Sequence, residues 1–315
     1  MCCKEKNKVV FMGTPEFAAI SLEHLIKNGY NVVAVVTQPD KQKNRGKKVV
    51  FSPVKELALT YNIPVLQPEK VKGNIEFYNE LKSFEPDVIV VTAYGKLPPK
   101  EILDLPHCGC INVHGSLLPK LRGASPIQCA ILEGMEETGI TLMKMDEGMD
   151  TGNMINKAKV KVENMDFQQL HDALATAGGK LLVDNLESIL DGSAAEDVQD
   201  ESEATYSFMI SKEDGHLNFK DKSGEELERT VRAFSQWPGT YFYHNDQMVK
   251  VKEAEPGVKC QGEPGQVVAL SKDGIKVACN DSSILLKTVQ PAGKKPMDAW
   301  SYLMGNKMEV GKVLR

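Results

Sequence analysis

Apolar and polar residues alternate in blocks along the first half of the chain, and the blocks predict strands that alternate with helices. The stretch at 32–36 is entirely apolar, which is typical of a strand whose sheet is covered by helices on both faces. The first helix is predicted to have Thr14 as its cap and Pro15 at its first position. Strands are predicted at 8–12, 32–36, 64–66, 87–91 and 110–113, and further helices at 52–61, 72–84, 98–104 and 166–190. The alternation predicts an α/β fold with a Rossmann-like, doubly wound, mainly parallel sheet.

The pattern changes after residue 190. Residues 191–205, DGSAAEDVQDESEAT, carry six acidic side chains and no basic one, a composition typical of a linker. Beyond them, short alternating segments separated by turn residues predict a small C-terminal antiparallel β-barrel, similar to an oligonucleotide/oligosaccharide-binding (OB) fold. We therefore expect a first domain at 1–190, an acidic linker at 191–205 and a barrel domain at 206–315.

Composition limits the class of protein. The chain has 315 residues, of which 42% are hydrophobic and 26% charged, as in a globular protein of two ordinary domains. No apolar run approaches the ~20 residues that span a membrane, and the polar start MCCKEKNK has no secretory apolar segment behind it. Seven cysteines without framework spacing are typical of reduced thiols. We expect a cytoplasmic protein that does not bind membranes.

A Rossmann-like sheet suggests a nucleotide site, but the glycine pattern argues against a dinucleotide. The first strand is followed by M-G-T-P-E-F rather than G-x-G-x-x-G, and no G-x-x-x-x-G-K-[ST] motif is present. In such sheets ligands still bind beyond the carboxyl ends of the strands. The predicted strand at 110–113 ends at such a position.

Asn112 and His114 carry the candidate chemistry at that strand end. A two-residue spacing on a strand directs both side chains to one face. An amide and an imidazole side by side can stabilise an oxyanion, and Asp150 in the later motif D-E-G-M-D-T-G can supply a carboxylate to the imidazole. Each residue also has an ordinary structural interpretation: a strand-end histidine, an amide that satisfies backbone groups, and a turn acid.

A metal site is the alternative for this region. Cys108, Cys110 and His114 share the parity of one strand face, with His107 beside them. Zinc prefers ligands that converge tetrahedrally, usually with cysteines two to four residues apart, and no distant second pair is present. We therefore expect no metal.

A basic loop is the clearest feature of the charge distribution. The formal net charge is −5, which disfavours general binding of nucleic acids. Five basic residues nevertheless lie together between 41 and 48 with only one acid, Asp40, beside them. Such a loop is either a solvated surface segment or a site for one particular polyanion.

Several motifs, in order along the chain, carry a family resemblance. They are VVFMGTPEFAA, VVTQPDKQKNRGKKVVFSPVK, VTAYGKLPP, INVHGSLLPKLRGASPIQ, GITLMKMDEGMDTG, ATYSFMISKEDGHLNF, QWPGTY and QPAGKKPM. In this set the chain resembles the methionyl-tRNA formyltransferases, a family of 10-formyltetrahydrofolate-dependent enzymes, along essentially its whole length. The sequence departs from the family pattern at Lys120-Leu121, at Tyr206-Ser-Phe and at Ser235-Gln, where the family commonly has other residues.

The resemblance implies a reaction and a set of residues. The formyl group of the co-substrate 10-formyltetrahydrofolate is transferred to the amino group of methionyl initiator tRNA for translation initiation, by a one-carbon transferase that can act as a monomer without an obligatory protein partner. The implied residues are Asn112, His114 and Asp150 for catalysis; Ser116, Leu117, Leu118, Pro119 and Arg122 for folate; and Lys43, Arg45, Lys47 and Lys48 for tRNA, together with the barrel domain. Which of His114 and Asp150 accepts the proton stays open.

Two other interpretations stay open from the sequence. One is another user of formyl-folate, either a glycinamide ribonucleotide formyltransferase or a 10-formyltetrahydrofolate hydrolase domain. The first normally lacks the second domain, and the second should lack the R-G-K-K loop. The other is a non-catalytic RNA-binding protein that kept the fold. The intact set of Asn112, His114 and Asp150 argues against it.

Overall fold

The structure, a computed structural model, describes residues 6–43 and 48–315, and only the backbone of 41–43, 48 and 49. Contacts within this part of the chain divide it into two compact units that interleave along the sequence. The first unit contains residues up to Pro126, Glu137–Lys161 and His171–Ser207; the second contains Ile127–Glu136, Val162–Leu170 and Phe208–Arg315.

The compact units differ from the predicted linear boundaries at the acidic segment 191–205. In the structure this segment packs within the first unit: the backbone N–H of Met154 donates to Asp197 O and that of Asp197 to Met154 O, and the Gln199 side chain is buried. These hydrogen bonds to the body of the first unit hold the acidic segment in place.

The first unit is built on a mixed sheet. In the described residues its strands are β1 (Lys8–Gly13), β2 (Asn31–Val36), β3 (Lys41–Lys43), β4 (Lys48–Val50), β5 (Val65–Leu66), β6 (Val88–Thr92), β7 (Cys110–His114), β8 (Arg122–Gly123), β9 (Glu137–Lys144), β10 (Met154–Lys161) and β11 (Tyr206–Ser207). Seven of these form the main sheet, in the order β10-β9-β7-β6-β1-β2-β5. β7, β6, β1, β2 and β5 are parallel, whereas β9 and β10 are antiparallel additions at one edge. The predicted mainly parallel α/β sheet is confirmed.

Helices connect these strands. Those between residues 16 and 190 are α1 (Glu16–Lys27), α2 (Pro53–Thr60), α3 (Ile75–Ser83), α4 (Lys100–Leu103), α5 (Pro126–Leu132) and α6 (Phe167–Leu190). The strands β1 and β6 are buried on both faces, as their apolar sequences predict: Val9–Met12 of β1 are fully buried. Alternate residues of these strands pack against Phe77 and Leu81 of α3. This core fixes the carboxyl ends of the strands, where the candidate residues lie.

Two helix starts show where local signals succeed and fail. The Oγ of Ser52 accepts a hydrogen bond from Lys55 N at the start of α2, so Ser52 caps the helix that was predicted to begin there. At α1 the prediction is wrong by one residue, because Pro15 itself is the cap residue. The Oγ1 of Thr14 instead donates to Tyr94 O (3.4 Å) and accepts from Gln38 N (3.3 Å). These tertiary hydrogen bonds replace the local capping bond.

The second unit contains an antiparallel sheet. Its described strands are β12 (Thr240–His244), β13 (Gln247–Gly257), β14 (Val267–Ser271), β15 (Gly274–Ala278), β16 (Ser283–Pro291) and β17 (Met297–Asp298), with helices α7 (Gly224–Ala233) and α8 (Ala299–Gly305). The strands pair in the order β12-β13-β16-β15-β14, with β17 beside β16. One apolar cluster joins the sheet to both helices, through Leu227 of α7 and Tyr302 of α8 among others. The predicted antiparallel β architecture is confirmed. None of the helices described in either unit is long and apolar enough to cross a membrane.

Tyr94 gives a testable prediction about the apolar core of the first unit. Its side chain is 2% exposed, and its hydroxyl has no hydrogen-bond partner within residues 6–43 and 48–315, while burial raises the pKa of that hydroxyl to about 12. Since an unpaired buried hydroxyl costs about 1–3 kcal/mol, Tyr94→Phe should leave the free energy of unfolding unchanged or raise it by about 1 kcal/mol. Chemical denaturation measures this.

Tyr30 supplies the matched control for that prediction. It is also buried, but its hydroxyl donates to Val183 O at 3.3 Å. Tyr30→Phe should therefore lower the free energy of unfolding by about 1 kcal/mol. A loss of stability in Tyr94→Phe as large as that in Tyr30→Phe would contradict the interpretation.

Candidate active site

Asn112 and His114 lie on β7, the last strand of the parallel series. β7 pairs with β6 on one side and with β9 on the other, so that Asn112 lies opposite Val91 and Met143, and His114 lies opposite Thr141. The structure brings both side chains to one atom, Oδ1 of Asp150. The Asn112 Nδ2 donates to it at 3.4 Å, and the His114 Nδ1 lies 3.6 Å from it. The three predicted catalytic residues therefore form one cluster at a strand end.

A backbone carbonyl fixes the orientation of the imidazole. His114 is buried, and its Nε2 lies 3.1 Å from Leu121 O. Because a carbonyl oxygen only accepts hydrogen bonds, Nε2 carries a hydrogen. Nδ1 is then the nitrogen that faces Asp150 and can gain or lose a proton there. Leu121 itself has a left-handed backbone (φ 57°), a conformation that non-glycine residues rarely adopt, and its N–H donates to Thr205 Oγ1 at 2.9 Å.

The carboxylate of Asp150 is held by a second backbone group. Its Oδ2 accepts a hydrogen bond from Gly123 N at 2.8 Å, which leaves Oδ1 for Asn112 and His114. Its backbone is also left-handed, with φ 56°. The side chain is 15% exposed, so a ligand can reach it, while most of its surface is shielded from solvent. In such a partly dry site, hydrogen bonds to developing charge are stronger than in water.

The segment from Ser116 to Pro119, predicted to line the folate site, is held by hydrogen bonds to other residues of the chain. Ser116 Oγ donates to Lys120 O at 2.5 Å, and Thr141 Oγ1 donates to Ser116 O at 2.7 Å. Leu118 N donates to Thr141 Oγ1, and Leu118 O accepts from Lys157 Nζ. Ser116, Leu118 and Pro119 are buried, whereas Leu117 is half-buried. The Leu118 N–H is already occupied, so a pterin would have to bind other backbone groups of this segment.

The guanidinium of Arg122 is held by protein groups. The resemblance placed it at the folate, but its side chain is fully buried and donates to protein groups. Nε and Nη2 donate to Gln199 Oε1 at 3.0 and 2.8 Å, and Nη1 and Nη2 donate to the two carboxylate oxygens of Glu201 at 2.9 and 2.7 Å. The hydrogen bonds from Arg122 lower the pKa of Glu201 below its usual range. With its donors engaged in this way, the guanidinium binds the segment 199–201, and its role at the folate stays a prediction.

The predicted tRNA-contacting residues lie at a hairpin that is only partly described. Lys43 ends β3 and Lys48 begins β4, and the two residues are paired in the antiparallel register. Arg45 and Lys47 lie outside the described residues. At the base of the hairpin Asp40 forms an ion pair with Lys55 (2.5 Å), and this contact lowers the pKa of Asp40. The hairpin therefore starts from an anchored position.

The four residues considered for a metal site do not converge. The thiol of Cys110 lies 3.6 Å from Ile102 O in the apolar core, where burial raises its pKa to about 12. The thiol of Cys108 lies 3.6 Å from Leu190 O, and His107 faces Asp87 at 3.5 Å. In the described ranges 6–43 and 48–315, no group of three or more His, Cys, Asp or Glu side chains is arranged to hold a metal ion.

Sequence reasoning missed the residues that position the cluster. These are Leu121, Gly123, Thr141 and Thr205, through the hydrogen bonds given above, and Gln199, whose amide nitrogen donates to Asp150 O at 2.8 Å. Backbone groups leave no trace in a pattern of side chains. Gln199 does leave a weak signal, because it is an uncharged amide among six acidic residues.

Comparison with known proteins shows the family of this chain. A family model described as "Formyl transferase" matches residues 6–186, and one described as "Formyl transferase, C-terminal domain" matches residues 209–307. Eight curated relatives, each 42% to 47% identical over 98% of this chain, are all named methionyl-tRNA formyltransferase. The relative from Caldanaerobacter subterraneus is 47% identical, and the match covers 98% of this chain and 100% of that protein.

Solved structures support the fold. The N-formyltransferase from Helicobacter canadensis, in complex with folinic acid and dTDP-3-aminofucose, has a TM-score of 0.66 and 21% identity, over 90% of this chain and 99% of that one. A variant of HypX from Aquifex aeolicus has a TM-score of 0.64 and 15% identity, over 94% of this chain and 48% of that one, so the chain spans about half its length. With both formyl transferase models matched and a relative 47% identical along nearly its whole length, the chain belongs to the methionyl-tRNA formyltransferase family.

Proposed function

We propose that this protein transfers the formyl group of 10-formyltetrahydrofolate to the free amino group of methionyl initiator tRNA, giving N-formylmethionyl-tRNA for translation initiation. The observation that carries the proposal is the convergence of Asn112 and His114 on Oδ1 of Asp150, at 3.4 and 3.6 Å. It supplies an amide donor, an imidazole and a carboxylate within one cluster at the carboxyl end of β7.

The cluster fits the chemistry of formyl transfer to an amine. The folate co-substrate supplies an electrophilic formyl carbon, whose oxygen becomes negative as the amine adds. The Nδ2–H of Asn112 and a protonated Nδ1 of His114 are donors for that oxygen, and the loss of one such donor costs about 3 kcal/mol in the barrier. This donor pair lies in a partly buried site, where it stabilises charge better than water does.

The proton of the attacking amine also needs an acceptor. Oδ1 of Asp150 and Nδ1 of His114 are the two candidate atoms, and they face each other at 3.6 Å. Oδ1 is the acceptor when Nδ1 is protonated and donates to the formyl oxygen; Nδ1 is the acceptor only when it is neutral, in which case Asn112 alone donates to that oxygen. Either atom can take the proton directly or through one water molecule, since a general base acts over hydrogen-bond distances. Collapse of the adduct then breaks the bond between the formyl carbon and N10 of the folate, and the proton passes to N10 so that tetrahydrofolate leaves. Gly123 N and Leu121 O hold the two side chains from behind, and this fixes the reactive atoms toward the amine.

The two parts of the chain have different roles in this proposal. Residues 1–190 bind formyl-folate, through the segment Ser116–Pro119, and carry the catalytic residues; residues 206–315 form the tRNA-binding barrel, joined through the acidic segment 191–205. Residues 206–315 contain 16 basic and 14 acidic side chains, against 22 and 29 in residues 1–205, which favours the C-terminal part as the surface for the tRNA backbone. We further propose that the protein acts as a cytoplasmic monomer, without a metal and without an obligatory protein partner.

A direct assay tests the proposed reaction. The purified protein is incubated with 10-formyltetrahydrofolate and methionyl initiator tRNA, and the formyl label is followed into acid-precipitable tRNA. We expect transfer to the aminoacylated initiator tRNA, and none to the same tRNA without methionine. A parallel reaction with methionyl elongator tRNA measures how strongly the protein discriminates between initiator and elongator tRNA. Release of formate without transfer to tRNA would instead indicate a hydrolase, and transfer only to a small amine would indicate another formyltransferase.

Arg45 provides a prediction for the basic loop. By family resemblance its guanidinium enters the acceptor end of the tRNA while the neighbouring Lys43, Lys47 and Lys48 bind phosphates. Arg45→Ala should therefore lower kcat/KM for methionyl initiator tRNA by about 10- to 100-fold, the size of one or two lost polar contacts. Binding of a folate analogue, measured by calorimetry, should be unchanged.

The control for Arg45→Ala is Lys180→Ala. Lys180 is 73% exposed on α6 and pairs only with Asp184 of the same helix in the described structure, so its removal deletes a surface charge without touching the loop. We expect activity within about twofold of wild type. Equal losses of tRNA and folate binding in Arg45→Ala would mean that the substitution unfolds the loop rather than removing a tRNA contact.

A further inference from the structure

Gln199 lies in the acidic segment 191–205 but is 5% exposed. Its amide nitrogen donates two hydrogen bonds of 2.8 Å, one to Asp150 O and one to Gly152 O. These carbonyls flank Thr151, so one amide group holds the loop on both sides of that residue. The loop is the one that carries the Asp150 carboxylate.

The other end of the same amide is held by Arg122. Gln199 Oε1 accepts from Arg122 Nε at 3.0 Å and from Nη2 at 2.8 Å. An amide has two N–H donors and an oxygen with two lone pairs, and all four are used here. If the amide were flipped, its oxygen would face the two carbonyl oxygens and its NH₂ group would face the guanidinium. All four hydrogen bonds would then be lost. The direction of the side chain is therefore fixed by its partners.

The loop needs such a restraint because Asp150 has an unfavourable backbone. A left-handed conformation costs a non-glycine residue about 1–2 kcal/mol, and it persists only where the surroundings determine it. The Asp150 backbone carbonyl accepts its hydrogen bond from the Gln199 amide. The carboxylate of the same residue is aimed at His114 and Asn112 by the torsion angles that this contact restrains.

We propose that Gln199, itself oriented by Arg122, is a positioning residue for the catalytic carboxylate of Asp150. The inference rests on the proposed function, because the activity that its test measures is formyl transfer. In the part of the chain that the structure describes, Gln199 makes side-chain hydrogen bonds with Arg122, Asp150 O and Gly152 O and none with His114. It acts by holding the Asp150 backbone in its left-handed conformation, and misplacing a reacting group by ~1 Å is enough to cost about 100-fold in rate.

Gln199→Glu is the sharpest variant. A carboxylate has nearly the shape of the amide and still accepts from Arg122, but it presents an oxygen instead of two N–H donors to Asp150 O and Gly152 O. We expect kcat to fall about 30-fold or more, while KM for the folate co-substrate stays within about threefold. Gln199→Met, which has similar length and no charge, should lower kcat in the same direction and separates lost donors from added charge.

Gln169→Glu is the matched control. Gln169 is exposed near the start of α6, where its Oε1 accepts from Asp166 N, and a glutamate keeps that contact. The same chemical change there should leave kcat within about twofold of wild type. Thermal unfolding of all variants checks that the folded protein is compared in each case.

The outcomes separate the inference from the proposed function. Wild-type formylation of methionyl tRNA tests the function alone. The ring ¹⁵N shifts of His114 test the positioning without turnover, because Oδ1 of Asp150 lies 3.6 Å from Nδ1; they should move in Gln199→Glu and stay in Gln169→Glu. A folded Gln199→Glu with wild-type kcat and unchanged His114 shifts, or a defect confined to KM, would overturn the inference.

Discussion

Asp150→Asn will lower kcat for formyl transfer by about 1,000-fold, the range seen when a general base or charge partner is removed. The asparagine oxygen can keep the hydrogen bond from Gly123 N, which now binds Oδ2 at 2.8 Å. Its NH₂ group then faces the Nδ2–H of Asn112 and the Nδ1 of His114, so the negative charge is lost and a donor meets a donor. Single-turnover kinetics with saturating substrates measure the chemical step.

Asp146→Asn is the control in the same loop. Asp146 is exposed, and its Oδ1 accepts from Gly148 N and from Thr151 Oγ1, which an asparagine oxygen can also do. The variant carries the same change of charge and should keep kcat within about twofold of wild type. If Asp150→Asn retained near-wild-type turnover, or if both variants lost it equally, the catalytic assignment of Asp150 would be wrong.

The parts of the fold that depend on local patterns could be predicted from the sequence. The strands β1, β2, β6 and β7 lie within about one residue of the predicted ranges, because each contains apolar residues of the kind expected where helices cover both faces of a sheet. The helix predicted to begin at Ser52 does so with that residue as its cap, since the partner Lys55 N lies only three residues away. Where a residue has a distant partner, as Thr14 has in Tyr94 and Gln38, the local signal misleads.

Other elements were not predicted, although some left a signal. The start of α7 has a capping box, in which Ser223 and Glu226 bind each other's backbone N–H groups, and its sequence S-G-E-E-L carries that motif. The antiparallel edge strands β9 and β10 break the βα alternation. Their position beside β7 is set by tertiary pairing, which a single sequence does not encode locally.

The candidate site also contains features that could be predicted from the sequence and features that could not. The two-residue spacing of Asn112 and His114 was readable because strand geometry is local. The approach of Asp150 required the antiparallel return of β9 to β7, and the family resemblance supplied it instead. The supports of the cluster, such as Leu121 O and Gly123 N, are backbone groups without a side-chain signature. Arg122 was readable as important but not as buried, because its partners lie 77 and 79 residues away.

Gly152→Ala will destabilise the protein and impair catalysis together. A Cβ at this position would overlap Lys144 O, the last backbone carbonyl of β9, and would also approach the Met143 side chain at 3.1 Å. Lys144 cannot yield easily, because its N–H donates to Asn153 O at 2.8 Å and it lies in the sheet. We expect the free energy of unfolding to fall by about 3 kcal/mol, measured by urea denaturation.

The catalytic effect of Gly152→Ala follows from the same displacement. Gly152 O and Asp150 O share the Gln199 amide, so a shift of Gly152 moves the carboxylate away from His114 and lowers kcat in the protein that remains folded. Gly305→Ala is the control: at the end of α8 an added Cβ would meet no atom of the described residues within 4 Å apart from its chain neighbours and the nearby helix backbone, and alanine favours the helix by up to about 1 kcal/mol. If Gly152→Ala were as stable and active as Gly305→Ala, the loop that carries Asp150 would not be tightly packed, and its backbone would not be what aims the carboxylate.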